Sequence, residues 1–183
     1  LSAVETLGST TVICSDKTGT LTMNQMTART LWFRGRRLSV SGDSYSSRGE
    51  IQGAESMDLG PLVRPVALCN EAQIRDGALV GDPTEGALLG VALKAGVDPS
   101  ELAARMPRLD ELPFDSATKL MATFHRDSER VLVLVKGAPD VLLERSSHVL
   151  AARGTEPLDD EARRTISAES ERMAGQAMRV LAV

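Results

Sequence analysis

Residues 12–22 read VICSDKTGTLT, and their polar side chains are of the types that handle a phosphoryl group. The carboxylate of Asp16 is followed by the ammonium group of Lys17 and by threonine hydroxyls on either side of Gly19. Aspartate can act as a covalent nucleophile and form an aspartyl-phosphate, which divides one difficult step into two easier ones. A carboxylate beside a phosphate needs neutralising charge, which Lys17, the threonine hydroxyls and a divalent metal would supply. The segment therefore predicts a phosphorylation loop.

The run before this loop predicts how Asp16 is positioned. Residues 11–14 are mostly β-branched and apolar, a pattern typical of a buried strand in a parallel sheet. Ligands of open α/β sheets bind at the carboxyl ends of the strands, so Asp16 would lie at a ligand-binding edge. Backbone N–H groups around Gly19 would face the anion there. The alternative is that Asp16 only caps a turn.

Composition restricts the class of protein. The chain has 183 residues, enough for one good core or a small pair of domains. A net charge of −4 gives no basic surface for nucleic acid or anionic lipid, and the longest apolar runs have the length of a strand. We therefore expect no nucleic-acid partner and no membrane contact. Cys14 and Cys69 lie in apolar stretches and are predicted to be buried thiols in a reducing compartment.

The remaining pattern predicts an α+β domain joined to the phosphorylation segment. Strands are predicted at residues 28–33, 37–40, 109–114, 120–125 and 130–135, and helices at 61–72, 138–145 and 159–174. Residues 82–85 and 98–101 both read Asp-Pro-x-Glu, which predicts two helix starts with aspartate at the N-cap. We place the start of a phosphorylation domain at residues 1–27, a second domain at residues 28–183, and the hinge at residues 24–28.

A second group of residues has the chemistry to bind a nucleotide. Lys136 leaves a predicted strand just before a helix, and Lys119 follows Phe114 at the end of another strand. An aromatic face offers stacking to an adenine ring, and ammonium groups offer charge to its phosphates.

These motifs together resemble a known family. DKTGTLT at residues 16–22 resembles the phosphorylation motif of P-type cation-transporting ATPases. Residues 136–139 (KGAP), residues 81–85 (GDPTE) and the spacing from Phe114 to Lys119 resemble signatures of the nucleotide-binding domain, in the family's order. Cys69-Asn70 and the form of residues 81–85 are similar to the calcium-pump branch. The resemblance implies an antiparallel sheet flanked by helices, attached to the first strand of an α/β haloacid-dehalogenase-like phosphorylation domain.

The resemblance also implies roles for individual residues at an ATP site. Phe114 would stack on adenine, and Glu85 would accept a hydrogen bond from the exocyclic amine. Lys119 would lie beside the base or the α-phosphate, and Arg179 would reach the phosphates. Lys136 and Gly137 would line the deep wall of the pocket. Each of these residues also has a purely structural explanation. Phe114 could be a core aromatic, the two lysines could be edge-strand charges, and Arg179 could be a surface charge. Glu85 has the strongest alternative, because Glu101 holds the same place in the second cap with no proposed ligand.

At the loop, the resemblance implies catalysis by Asp16, Lys17 and Thr18, with Mg²⁺ held at Asp16 and Thr18. Hydrolytic phosphatases of the haloacid-dehalogenase-like group carry a second aspartate where this chain has Thr18. A threonine does not activate water in that way, so the phosphoenzyme should persist. This difference favours a pump over a phosphatase, which stays the third hypothesis.

The implied whole protein is a plasma-membrane pump that couples ATP hydrolysis, through the aspartyl-phosphate, to cation transport. Its partners would be the phosphorylation, actuator and transmembrane domains of the same polypeptide. The chain starts at Leu1 and ends in the strand-like run 179–183, so we interpret it as an excised piece at the cytosolic face. Such a piece is expected to bind ATP without catalysis. The rival hypothesis is a catalytically inactive nucleotide-sensing or interaction module.

Overall fold

The structure is a computed structural model that describes residues 8, 10–12 and 14–183, and only the backbone of Thr18 and Leu21. The strands are β1 (Thr30–Phe33), β2 (Arg36–Val40), β3 (Ile51–Gln52), β4 (Gln73–Arg75), β5 (Ala78–Val80), β6 (Arg108–Asp115), β7 (Leu120–Asp127), β8 (Arg130–Gly137), β9 (His148–Ala151) and β10 (Gly154–Pro157). The helices are α1 (Gly60–Leu68), α2 (Pro83–Lys94), α3 (Pro99–Arg105), α4 (Pro139–Arg145) and α5 (Asp160–Ala174).

The central sheet has the order β6-β7-β8, and all its strands are antiparallel. Alternate residues of β7 face the core, where Met121, Thr123 and His125 are almost fully buried. The apolar face of this sheet packs against α1 and α3, with Val63 and Leu102 in the same cluster. The predicted strands at 109–114, 120–125 and 130–135 are confirmed as β6, β7 and β8, although β6 is exposed along its whole length and only β7 and β8 carry buried side chains.

The other described strands form three smaller antiparallel sheets. The predicted hairpin at residues 28–40 is confirmed as β1 and β2, with β3 added on the far side of β2. The pairs β4-β5 and β9-β10 were not predicted. The first of them turns at Asp76 and Gly77, both with positive φ, and Asp-Gly is a strong hairpin signal that the sequence reasoning missed.

The predicted helices are confirmed with small changes of length. Helix α1 ends at Leu68 rather than at residue 72, and α4 and α5 follow the predicted ranges closely. Helix α5 is joined to β2 by the Arg37–Glu169 ion pair. Hydrogen bonds from Arg172 and Arg37 lower the pKa of Glu169 to about 2. None of the helices in the described part of the chain is both long and apolar enough to cross a membrane.

The predicted buried strand at residues 11–14 is wrong for the residues that the structure describes. Residues 11, 12 and 14 are exposed and form no strand, and Val12 is 75% exposed. A strand buried on both faces needs neighbours, and the described residues pair only antiparallel strands elsewhere. Ile13 lies outside the described residues. The predicted strand at 179–183 is reduced to a single bridge between Ala182 and Gly137.

The two cysteines differ accordingly. Cys14 is exposed, so its predicted burial is wrong, and the cause is the missing strand around it. The predicted burial of Cys69 is confirmed. Burial raises the pKa of the Cys69 thiol, which keeps it a protonated core side chain.

Candidate functional site

Four of the predicted nucleotide residues lie at one end of the central sheet. In the sheet register Asp115 pairs with Leu120, and Leu120 pairs with Gly137. Phe114, Lys119 and Lys136 each immediately precede one of these three residues in the chain. The end of β6, the start of β7 and the end of β8 therefore place these three residues and Gly137 at neighbouring backbone positions.

Phe114 is a surface residue. It is 61% exposed, and it lies where the register of β6 and β7 shifts between Leu112 and Asp115. A large aromatic ring left in water at the end of a sheet is not packing the core, so the core-aromatic reading is wrong. The exposed ring is available for stacking on a flat ligand.

The turn from β6 to β7 fixes the position of Lys119. The Asp115 carboxylate accepts hydrogen bonds from the backbone N–H groups of Ala117 (3.0 Å) and Thr118 (2.8 Å). Hydrogen bonds from Thr118, first from its backbone and then from its side chain, lower the pKa of Asp115 despite opposing desolvation. The turn closes when the Lys119 N–H donates to the Asp115 carbonyl at 2.7 Å, with Lys119 at φ +55°. The lysine is exposed beside the strand end.

Gly137 allows three segments to meet at this end of the sheet. A Cβ atom here would lie 2.5 Å from the Lys119 carbonyl oxygen and 2.9 Å from side-chain atoms of Leu120 and Leu142. The Gly137 N–H and carbonyl also bond to Ala182 in both directions at 3.0 Å. The glycine is thus required by close approach, and it brings the last described residues next to β8.

Lys136 and Glu85 form a largely buried ion pair. Lys136 is only 6% exposed, and its Nζ donates to Glu85 Oε1. The other oxygen, Oε2, accepts from the backbone N–H groups of Glu71 and Ala72. Lys136 lies on the edge strand β8, but its charge is buried and paired with a carboxylate and does not face water. The Glu85 carboxylate therefore compensates the charge of a buried ammonium group near the end of β8.

Arg179 lies against the first turn of α2. Its guanidinium donates to Thr84 Oγ1 at 3.0 Å, and the neighbouring Asp82 accepts from the Thr84 N–H at 2.8 Å. Burial raises the pKa of Asp82, but hydrogen bonds from Thr84 and Glu85 and the nearby Arg179 charge lower it overall. Arg179 therefore contacts the residue that immediately precedes Glu85 in α2.

The phosphorylation segment has a different character. Residues 14–17 are exposed, and Lys17–Leu21 forms one π-helical turn closed by the Thr22 N–H on the Lys17 carbonyl at 3.2 Å. No group of three or more His, Cys, Asp or Glu side chains that could hold a metal occurs in the described part of the chain. The predicted Mg²⁺ ligands are Asp16 and Thr18, and the side chain of Thr18 lies outside the described residues.

Two residues at this site escaped the sequence reasoning as functional candidates. Asn70 is buried and donates to the Glu85 carbonyl, and a Cβ atom at Gly81 would lie 2.9 Å from Ala72. Their signal was present in the Cys69-Asn70 pair and in residues 81–85, which were used only as markers of family and helix start.

The family is identified by comparison with known proteins. A family model described as P-type ATPase, cytoplasmic domain N, matches residues 58–183, which contain all six predicted nucleotide residues. The chain therefore belongs to the P-type ATPase family. The predicted family is confirmed.

Individual relatives agree with this result over the whole chain. It is 44% identical to the cation-transporting ATPase pma1 of Synechocystis sp. and 40% identical to a calcium-transporting ATPase of Bacillus subtilis, in each case over 100% of this chain and 22% of the relative. It is 34% identical to the human potassium-transporting ATPase alpha chain 2, over 99% of this chain and 19% of the relative. The chain thus spans about a fifth of the length of these relatives.

Proposed function

We propose that this chain is the ATP-binding part of a P-type cation-transporting ATPase. The observation that carries the proposal is that exposed Phe114 and the buried, Glu85-paired Lys136 lie at the same end of the central sheet. One ring and three cations, counting Lys119 and Arg179, match the flat base and the negative phosphates of ATP.

The geometry suggests how the nucleotide binds. The adenine ring stacks on Phe114, and the phosphates run toward Lys119 and Arg179. Ionised carboxylates have about four acceptor positions, and three positions of Glu85 are taken by Lys136 and two backbone N–H groups. One position remains for the exocyclic amine of adenine, so the carboxylate has both a structural and a recognition role.

In the full-length protein, Asp16 is the proposed nucleophile. A carboxylate oxygen of Asp16 bonds to the γ-phosphorus of ATP, and the bond from that phosphorus to the bridging oxygen breaks. ADP leaves with the bond electrons, and water later hydrolyses the aspartyl-phosphate. Lys17 and Thr18 would neutralise and orient the phosphoryl group, and a Mg²⁺ ion held by Asp16 and Thr18 would supply further neutralising charge.

The rest of the proposed pump lies in other domains. The relatives carry the names of cation, calcium and potassium transporters, so we propose cation transport driven by this phosphoenzyme. Phosphorylation, actuator and transmembrane domains would be partners in the same polypeptide, and this chain would lie at the cytosolic face of the plasma membrane. The proposed boundary between the phosphorylation segment and the nucleotide domain stays at residues 27 and 28.

An ATP titration followed by amide NMR shifts tests the binding proposal. An exposed cleft with one stacking ring should give a dissociation constant on the order of 0.1 to 1 mM. Phe114→Ala should weaken ATP about tenfold because stacking is lost. Leu112→Ala is the matched control, since Leu112 is also exposed on β6, and it should bind ATP like the parent. Shifts near Asp16 but none near Phe114 and Lys136 would reject the site.

Phosphorylation is tested in the full-length protein with γ-labelled ATP and Mg²⁺. A hydroxylamine-sensitive label that disappears in Asp16→Asn is the expected result, because an acyl phosphate forms only on the carboxylate. ATP binding without any such label would favour the nucleotide-sensing module instead.

A further inference from the structure

Asn70 uses its whole side-chain amide inside the protein. It is 6% exposed, and its Nδ2 donates to the carbonyl oxygens of Val66 at 3.1 Å and Glu85 at 3.0 Å. Its Oδ1 accepts from the Ala72 N–H at 2.9 Å. The amide therefore ties the end of α1, the first turn of α2 and the segment between them.

The segment tied by Asn70 is the one that binds the Glu85 carboxylate. The Ala72 N–H is shared between Asn70 Oδ1 and Glu85 Oε2, and the Glu71 N–H donates to the same carboxylate oxygen. Residues 70–72 thus form a cradle under Glu85. The Arg108 guanidinium also stabilises this cradle, because it donates a hydrogen bond to the Asn70 carbonyl at 2.7 Å.

Gly81 closes the cradle at its far end. It has φ +126°, and a Cβ atom there would lie 2.9 Å from both Cα and Cβ of Ala72. The β4-β5 hairpin leaves the cradle after Ala72 and returns against it at Gly81, one residue before the Asp82 cap of α2. The two sequence features at residues 69–70 and 81–85 are therefore parts of one structure.

We propose that Asn70 is a positioning residue for nucleotide binding, acting through Glu85 on Lys136. Asn70 orients the two N–H groups that fix the Glu85 carboxylate, and the fixed carboxylate holds the Lys136 ammonium group at the sheet end. The inference rests on the proposed nucleotide site. Loss of the amide frees Glu85 to leave Lys136, so ATP binding weakens although Asn70 does not contact the nucleotide.

The test measures ATP affinity in Asn70→Ala and in Asn70→Asp, which keeps the side-chain volume and the Ala72 acceptor but loses both donors. Each variant should raise the dissociation constant about tenfold. Gln73→Ala is the control, because Gln73 is exposed on β4 and its side chain accepts hydrogen bonds from Arg75 on the same strand. This variant should leave ATP affinity unchanged. Denaturant unfolding shows whether each variant is folded. The ATP-affinity test needs only one of the two Asn70 variants to be folded.

Two readouts separate positioning from general stability. In a Glu85→Gln background, Asn70→Ala should weaken ATP by less than twofold, because the carboxylate it positions is gone. Without nucleotide, the Lys136 side-chain NMR signal should shift both in Asn70→Ala and in Glu85→Gln. An equal loss of ATP affinity in both backgrounds, or an unmoved Lys136 signal, would overturn the proposal. The second readout needs no ATP, so it stays decisive if the parent chain fails to bind nucleotide and the proposed function falls.

Discussion

Helices α2 and α3 begin with the same four-residue pattern, yet their glutamates do different things. Asp82 accepts from the N–H groups of Thr84 and Glu85 at 2.8 and 3.4 Å, and Asp98 accepts from the equivalent groups at 2.7 and 3.2 Å. The caps are nearly identical. Glu85, however, is held by Lys136 and the cradle of residues 70–72, whereas Glu101 is exposed.

The difference shows that the pattern predicts a helix start and nothing further. Both aspartates satisfy free N–H groups of the first turn, and both glutamates carry negative charge near the positive end of a helix dipole. Glu85 becomes special only because α2 starts beside β8 and the cradle. In a capping box the glutamate would bond to the N-cap backbone N–H. Glu85 bonds instead to Ala72, Glu71 and Lys136, which lie 13, 14 and 51 positions away in the chain.

The largest expected effect comes from neutralising the two glutamates separately. Glu85→Gln keeps the side-chain shape but leaves the buried Lys136 ammonium group without its counter-charge, which should cost about 3 kcal/mol of unfolding free energy. Glu101→Gln should change stability by about 0.5 kcal/mol or less, because Glu101 is exposed. Urea unfolding of both variants measures the contrast, and equal losses would break the comparison.

A second contrast concerns the glycines before the two caps. Gly81→Ala should destabilise the protein by about 2 to 3 kcal/mol, because the new methyl group strains φ +126° and meets Ala72. Gly96→Ala should cost only about 1 kcal/mol, since φ is +78° but no atom lies within 4 Å of the new Cβ. Thermal or denaturant unfolding distinguishes them. The cradle would lose its support if Gly81→Ala proved as mild as Gly96→Ala.

The caps themselves should respond alike. Asp82→Ala and Asp98→Ala each remove one side-chain acceptor from a helix first turn, and each should cost about 1 kcal/mol. Measured by the same unfolding assay, a loss more than twice as large for Asp82 would mean that the Arg179 contact near this cap contributes stability of its own.

The smallest expected effect is the pH dependence of the Asp82 cap. The folded-state pKa of Asp82 lies below its ordinary value of 3.8, since the Thr84 and Glu85 hydrogen bonds and Arg179 outweigh burial. The cap therefore stabilises the fold fully above that pH and loses its contribution as the pH falls through the folded pKa. The stability gap between the parent and Asp82→Ala should narrow below pH 3.8. A gap that stays constant into that acid range contradicts the lowered pKa.

The sequence was a good guide to elements whose signals are local. Alternating residues around Arg34-Gly35 predicted β1 and β2, and the Asp-Pro caps predicted the starts of α2 and α3. The apolar run at 11–14 shows the limit of the same reasoning. A β-branched segment becomes a buried strand only when neighbouring strands cover it, and the described residues provide none.

The site was predictable as a set of residues but not as a network. The spacing and family signatures indicated six residues, of which four lie at one sheet end, while Glu85 bonds to Lys136 and Arg179 bonds to Thr84. The Glu85–Lys136 pair joins residues 51 positions apart, and its dependence on Asn70 needs the folded positions of α1, α2 and β8. No local pattern carries that information.

The most direct test of the nucleotide site is the contact between adenine and Phe114. The chain contains only three phenylalanines, so NMR cross-relaxation between the adenine protons of bound ATP and phenylalanine ring protons can be assigned with few ambiguities. We predict cross-peaks from adenine to the Phe114 ring and none to Phe33, which is 8% exposed, with loss of the cross-peaks in Phe114→Ala. Bound ATP whose adenine protons show cross-peaks to other residues but none to Phe114 would contradict the account.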